Sequence, residues 1–301
     1  MKAVQLHGYG DVDQLRYEDV PTPEPGADEV LIKVIATSIN PVDWKIREGH
    51  LKERMPLQLP AILGRDVAGE VAGLGSNVRN LKIGDKVLGL VNRSYAEYLT
   101  TKADVLAVVP EGLNMEEAGV LPLVTLTGAQ LIEQGVKPKS GQTILVTGAV
   151  GSVGRTAVHV AKKHGARVIA GVRAKQKKEA EALGVDAIVA LDDDREIASL
   201  KDLDAIADTV NGEVIAKLFP AVKKSGVLAS VLGRPKTAEG SGIRIEPVWA
   251  QADGGRLRQL AEEVRRGEFA IPIARRFKLS EIREAQQFAE KGASGKVLIT
   301  P

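Results

Sequence analysis

The sequence predicts an α/β protein in two parts, a β-rich unit and a doubly wound parallel sheet flanked by helices. Three observations carry that expectation. Short Val/Ile-rich runs bounded by Gly, Pro and Asp fill the first third of the chain; apolar runs alternate with helical spacing from about residue 140; and a glycine-rich turn joins the first of those runs to an amphipathic helix.

Taken in chain order, residues 29–35, 67–73, 86–90, 95–99 and 105–108 read as strands of the β-rich unit. Residues 143–147 then read as a strand, 152–164 as a helix, 167–172 as a strand and 175–183 as a helix. The strand series continues at 187–191, 205–210 and 227–232, with a helix over 213–222. Residues 236–242, rich in Gly, Ser and charge, read as a loop. Helical spacing returns over 256–266 and 281–291, with a short strand at 273–277 and a closing strand at 295–300. The last two strands would bring the chain back to its first unit. The expected division is therefore 1–118 for the β-rich unit, 119–255 for the parallel unit and 256–301 for the return.

Composition narrows the function. With 41 Lys plus Arg against 39 Asp plus Glu, the formal charge is +2, too balanced for a nucleic-acid or membrane-surface binder. No cysteine is present, so disulfides, thiolate zinc sites and a cysteine nucleophile are excluded, and the four histidines, His7, His50, His159 and His164, lack metal-site spacing. No metal is expected. The N-terminal segment lacks the layout of a signal peptide and no apolar run is long enough to span a bilayer, so a cytoplasmic location without a membrane partner is expected. Aromatic residues make up 3% of the chain beside 31 glycines, which implies an aliphatic, small-residue core.

The segment Thr143-Ile-Leu-Val-Thr-Gly-Ala-Val-Gly-Ser-Val-Gly154 runs from strand into turn into helix, the context of a dinucleotide fingerprint and hence of a Rossmann-type sheet. Gly151 lets backbone approach a pyrophosphate, Gly154 lets helix and sheet pack closely, and the helix N-terminus offers N–H donors. The candidate cofactor contacts are Gly148, Ala149, Val150, Gly151, Ser152, Val153 and Gly154. Ala149 stands where the fingerprint has its first glycine, with Gly148 one residue earlier, so an ordinary tight βα turn is the competing reading. The next strand ends Val-Arg173-Ala-Lys-Gln-Lys177 without the acid that NAD enzymes place on the ribose. Arg173, with Lys177 behind it, is suited to a 2′-phosphate, which points to NADPH; a solvated basic helix start is the alternative, and the one assigned to Lys175 and Lys178.

Four stretches, Ser38-Ile-Asn-Pro-Val-Asp-Trp-Lys45, Gly64-Arg-Asp-Val-Ala-Gly-Glu-Val71, Leu121-Pro-Leu-Val-Thr-Leu-Thr-Gly128 and Gly148-Ala-Val-Gly-Ser-Val-Gly154, fall in an order that resembles the zinc-independent quinone oxidoreductases of the medium-chain dehydrogenase/reductase superfamily. Gly84-Asp-Lys-Val, Tyr95-Ala-Glu-Tyr and Gly295-Lys-Val are smaller echoes. The resemblance implies a GroES-like substrate domain, a Rossmann cofactor domain and an active-site cleft between them. Zinc relatives carry a Cys near Asn40 and Gly-His-Glu at Gly64-Arg65-Asp66; neither is kept here, so hydride delivery to an already electrophilic quinone or α,β-unsaturated carbonyl is implied rather than alcohol oxidation.

By the same resemblance Asn40 and Asp43 sit beside the nicotinamide ribose and the acceptor, and Thr127 holds the nicotinamide side. Their plainer readings are an Asn-Pro turn, a helix N-terminal acid and a helix hydroxyl. Lys45 and Tyr95 are the chemically plausible proton donors, with water as the alternative and a packing role for Tyr95. Arg65 and Asp66 read as a structural pair or turn, and Trp44 as a pocket lining or a plug. Leu191 and the Asp192-Asp193-Asp194 run stand where relatives often carry an aromatic near the adenosine phosphate, and residues 90–94 form a short connection over the implied cleft. A homodimer joined through the cofactor domains near residues 227–232 is implied. Three functions remain: a quinone reductase or its enoyl/alkenal double-bond counterpart, a non-catalytic NADPH-binding sensor, and a structural protein with a vestigial site.

Overall fold

Alternating apolar residues and glycine-bounded turns resolve into two compact units, one of Met1–Leu123 with Ala252–Pro301 and one of Val124–Gln251. The structure is a computed structural model describing residues 1–235 and 242–301; the loop expected over 236–242 lies outside the described residues except for Gly242.

The first unit runs β1 (Lys2–Leu6), β2 (Leu15–Asp19), β3 (Glu29–Ile39), α1 (Pro41–Arg47), β4 (Ala61–Ile62), β5 (Asp66–Leu74), β6 (Lys86–Leu90), β7 (Tyr98–Lys102), β8 (Leu106–Val108) and α2 (Met115–Ala118). Helix α3 (Pro122–Gln130) leads on to a π-helical turn over Leu131–Val136 and then β9 (Thr143–Thr147), α4 (Ser152–Lys163), β10 (Arg167–Val172), α5 (Lys177–Glu181), β11 (Ala187–Ala190), α6 (Asp194–Ser199), β12 (Leu203–Asp208), α7 (Glu213–Leu218), β13 (Val222–Ser230) and β14 (Arg244–Pro247). The chain returns to the first unit through α8 (Gly254–Arg265), β15 (Ile273–Lys278), α9 (Ile282–Glu290) and β16 (Lys296–Thr300).

In the first unit β3 is the hub, pairing with β5, β7 and β16 in a sheet of order β15-β16-β3-β5-β6-β8. Its alternating Val30, Ile32 and Val34 point into a core with Val67, Val71, Val87 and Leu99. A second core joins Val4, Leu6, Ile39, Ile46 and Tyr95 to Phe277, Ile282 and Val297 from the returning segment. The second unit is a six-stranded parallel sheet of order β11-β10-β9-β12-β13-β14, with Leu145, Leu203, Ile206, Ile215, Leu218 and Leu228 in its core. β9 and β12 are neighbours although two βα units separate them in sequence, so the strand order reverses between them, and ligands of such sheets bind at the carboxyl ends there.

Several elements depart from the sequence expectation. The strand expected at 95–99 starts at Tyr98, because Tyr95 bonds instead to Leu63 and Val4 and Ala96 bridges Ala3. β3 extends to Ile39, since its polar Thr37 and Ser38 find buried partners. The helix expected through 222 ends at Leu218 ahead of Pro220, and β13 starts at Val222 rather than at 227. That strand lies between β12 and β14, which pair with Val227–Ser230 on both sides. Helix α3 went unread because it is buried nearly all round and so carries no amphipathic period.

Candidate cofactor and acceptor sites

The glycines of the turn between β9 and α4 do three different jobs. Gly148 has φ +64°, and a Cβ there would lie 2.5 Å from Thr209 Oγ1 and 2.8 Å from Val210 Cγ1. Because Gly148 takes the left-handed position, the next residue need not be glycine: Ala149 is fully buried and donates its N–H to the Gly171 carbonyl at 3.3 Å. A Cβ on Gly154 would run into the Gly148 carbonyl oxygen, so that glycine lets α4 close against the turn. Gly151 is exposed, and a Cβ on it would meet only the Gly148 oxygen, at 3.1 Å. No side chain among the described residues caps α4, so the N–H groups of its first turn, Ser152, Val153 and Gly154, lack intrahelical acceptors, and Val150 just before them is buried. A pyrophosphate fits this cradle.

Thr127 is brought alongside. Helix α3 packs on α4 at Gly128, where a Cβ would lie 2.6 Å from the Val153 carbonyl oxygen and 2.7 Å from Thr156 Cβ. The buried Thr127 is thus one residue from the contact with the first turn of α4.

At the end of β10 the Arg173 side chain is exposed, and its guanidinium has no ion-pair partner among the described residues. Its backbone N–H donates to Gln176 Oε1 at 3.2 Å, which fixes the tight turn into α5. Lys177 is different: its ammonium is held by both carboxylate oxygens of Glu196, at 2.6 and 2.7 Å, and Glu196 also accepts the Ala190 N–H. The expectation that Lys177 supports a 2′-phosphate is thereby weakened by a competing partner from α6. An acid also reaches this corner from the following strand, since Asp192 Oδ1 accepts the Ala174 N–H at 2.7 Å.

Asn40, Asp43 and Tyr95, expected at the acceptor, belong to a buried polar network inside the first unit. Asn40 caps α1, and Asp43 Oδ2 accepts both the Asn40 N–H and the Tyr95 hydroxyl at 2.8 Å. Asn40 is fully buried, with Nδ2 donating to Asp66 Oδ2 at 2.7 Å and Oδ1 accepting from Lys296 Nζ. Asp66 Oδ2 also accepts from Ser38 Oγ and lies 3.4 Å from Lys296 Nζ, while Asp66 Oδ1 accepts the Leu123 N–H at 2.6 Å. Burial, the dominant cause, lifts the Asp43 carboxyl to about 6 against the bonds from Asn40 and Tyr95, and it lowers the Lys296 ammonium against the nearby carboxylates. The Tyr95 hydroxyl is pushed well above its ordinary value by burial and by Asp43.

Three expectations meet this arrangement. Tyr95 is not presented to an acceptor, because it is fully buried and its proton is engaged by Asp43. Asn40 and Asp43 have their polar atoms turned into the same network, apart from Asp43 Oδ1, which is buried without a partner among the described residues. Arg65 and Asp66 are not a pair: Arg65 bonds Asn92 at the surface at 2.5 Å. Lys45, half-buried on α1, belongs to none of these contacts. Sequence reasoning missed Lys296 and the central role of Asp66. The legible signal was a lysine opening the otherwise apolar run Lys-Val-Leu-Ile-Thr300, where a charge needs a partner.

Comparison with known proteins follows the same two parts. The alcohol dehydrogenase GroES-like domain family matches residues 26–111, and the zinc-binding dehydrogenase family matches residues 183–299. A chloroplast envelope quinone oxidoreductase homolog of Arabidopsis thaliana is 30% identical, with the match covering 100% of this chain and 98% of the relative. An NADPH-dependent alkenal/one oxidoreductase of the same plant is 31% identical, covering 100% of this chain and 80% of that protein. Among solved structures, the quinone oxidoreductase from Coxiella burnetii has a TM-score of 0.89 at 31% identity, covering 100% of this chain and 99% of the other.

Proposed function

This chain belongs to the quinone oxidoreductase-like family of the medium-chain dehydrogenase/reductase superfamily, and on that premise we propose that it is an NADPH-dependent, zinc-independent reductase of quinones or conjugated carbonyls. The observation that carries the reading is the cradle over Gly151, bounded by the first turn of α4, which no side chain among the described residues caps, and followed at the next strand end by the exposed Arg173 side chain. A cofactor seated there supplies the hydride for an acceptor that is already electrophilic.

The residues of this chain do the rest. The α4 N–H groups hold the pyrophosphate, and Thr127, fixed beside that turn, orients the nicotinamide side. Arg173 meets the 2′-phosphate as a planar donor, while Asp192 is committed to the Ala174 N–H. Zinc is not needed for such an acceptor, and the two positions that bind it in zinc relatives carry Asn40, engaged with Asp66 and Lys296, and Arg65, turned to Asn92. With Tyr95 committed to Asp43, the product's proton comes from Lys45 or from water. The similarity to an NADPH-dependent alkenal/one oxidoreductase supports conjugated carbonyls beside quinones as acceptors.

The test is NADPH oxidation by the purified protein against a panel of quinones, alkenals and enones, with NADH and a strong chelator as comparisons. Turnover with at least one acceptor, preferring NADPH and indifferent to the chelator, is the expected result. Binding of NADPH without turnover on any acceptor, or activity that disappears with chelated zinc, overturns it.

A further inference from the structure

Asp208 carries a buried carboxylate in the second unit. It ends β12 at the reversal of strand order, next to Thr147 at the end of β9 and Ser230 at the end of β13. It is fully buried, and each of its oxygens is engaged. Oδ1 accepts from the Thr147 hydroxyl at 2.9 Å and from the N–H groups of Val210 and Asn211 at 3.1 and 3.0 Å; Oδ2 accepts from the Ser230 hydroxyl at 2.8 Å. Thr147 is tied in twice more, since its hydroxyl accepts the Thr209 N–H at 3.0 Å and its carbonyl accepts the Thr209 hydroxyl at 2.7 Å.

These bonds do more than close a strand end. The turn they fix, residues 209–211, is the surface that Gly148 rests on: Thr209 Oγ1 and Val210 Cγ1 are the atoms a Cβ at Gly148 would strike. Gly148 in turn supplies the carbonyl that accepts the Gly151 N–H at 2.9 Å and that α4 approaches at Gly154. One carboxylate therefore holds both the residue before the glycine turn and the loop that backs the turn. We propose that Asp208 is a positioning residue for cofactor binding, clamping the ends of β9, β12 and β13 so that the Gly148–Gly151 turn is held in the shape that admits a pyrophosphate. Removing the carboxylate leaves two backbone N–H groups and the Thr147 hydroxyl without their buried acceptor, so the 209–211 turn reorganises and the support under Gly148 goes with it. Asp208 never touches the cofactor, and its effect is on geometry.

This inference rests on the reading of the glycine turn as the cofactor site, and the experiment separates the two. NADPH affinity is titrated for the wild type, Asp208→Ala, Asp208→Asn and Thr147→Val, with the thermal midpoint of each protein measured without cofactor. Leu203→Ala is the stability control: it truncates a buried residue at the opposite end of the same strand. Asp208→Ala is expected to weaken NADPH about tenfold or more, while Leu203→Ala lowers the thermal midpoint at least as much with affinity within about twofold of wild type. Asp208→Asn keeps an acceptor oxygen for the 209–211 turn and is expected to restore most of the affinity. If Asp208→Ala does not fold, Thr147→Val carries the test with an expected loss of about threefold or more. Asp208→Ala or Thr147→Val binding within twofold of wild type overturns the positioning role, as does a loss of affinity that follows the thermal midpoint across all variants. A wild type that binds no nicotinamide cofactor overturns the site itself.

Discussion

At the scale of single residues, the three glycines of the cofactor turn separate by what surrounds them. Gly151→Ala adds a methyl 3.1 Å from the Gly148 carbonyl oxygen, which need give by only a few tenths of an ångström, while the methyl enters the space a pyrophosphate needs. Gly154→Ala drives the same methyl into the Gly148 backbone and strains α4 against β9. The expected outcome is a folded Gly151→Ala that loses NADPH and a Gly154→Ala with a lowered thermal midpoint; equal NADPH affinity in wild type and Gly151→Ala would move the cofactor elsewhere. Arg173→Ala is expected to weaken NADPH by roughly 10- to 150-fold, the value of a charge-assisted hydrogen bond of about 1.5–3 kcal/mol, with little change for NADH. Lys177→Ala is expected to do less, since its ammonium already pairs with Glu196. Titration of both cofactors at fixed salt checks this, and equal losses for NADPH and NADH after Arg173→Ala would remove it from the site. The glycine turn and Arg173 were legible because their chemistry is local in sequence. The pairing of Lys177 with Glu196 was not, because it depends on α6 returning to the end of β11.

At the scale of elements, α1 is set by the acid in its first turn and by what it buries. Pro41 opens it, and the Asp43 carboxylate returns to the Asn40 N–H, so the acid reads from sequence as a helix N-terminal group. What sequence did not show is that this carboxylate is sealed beneath Tyr95, 52 residues on, with one oxygen unpartnered among the described residues. Burial therefore wins, and the carboxyl sits at about 6 rather than near its ordinary value of 3.8. A raised acid favours the fold when protonated, so its contribution is complete below about pH 3 and lost as pH rises through about 6. Asp43→Asn keeps an acceptor for Asn40 and Tyr95 and has no proton to lose. Relative to that variant, the wild type is expected to lose roughly 2 kcal/mol of unfolding free energy between pH 4 and pH 7, read from urea midpoints across the range. Parallel curves for the two proteins would show that Asp43 does not titrate in the fold. β3, with its alternating first half, and β9, a continuous apolar run, were legible because one buries a face and the other nearly its whole length. Helix α3 was not, for want of any polar face.

At the scale of the whole molecule, the chain ends meet in one unit while the parallel sheet is inserted between them, and the contact that records this is the buried pair of Asp66 and Lys296, 230 residues apart. Lys296 is the first residue of β16, which lies between β15 and β3, so the last strand of the chain supplies an ammonium to the polar network around Asn40 and Asp66. A buried pair of this kind contributes little against an apolar replacement of both partners, but removing one partner leaves the other charge uncompensated, at a cost of about 3–5 kcal/mol. Lys296→Met is therefore expected to destabilise the first unit by that amount, and Lys296→Met with Asp66→Asn to be the more stable of the two despite carrying a further change. The two tryptophans make the effect local: Trp44 lies in the first unit and Trp249 in the second, so single-tryptophan versions made with Trp→Phe report each unit's urea transition. The loss after Lys296→Met is expected in the Trp44 signal and to be smaller in the Trp249 signal. Strict additivity of the Lys296 and Asp66 changes, or a shift seen by Trp249 alone, would show that the pair does not hold the returning strand in place.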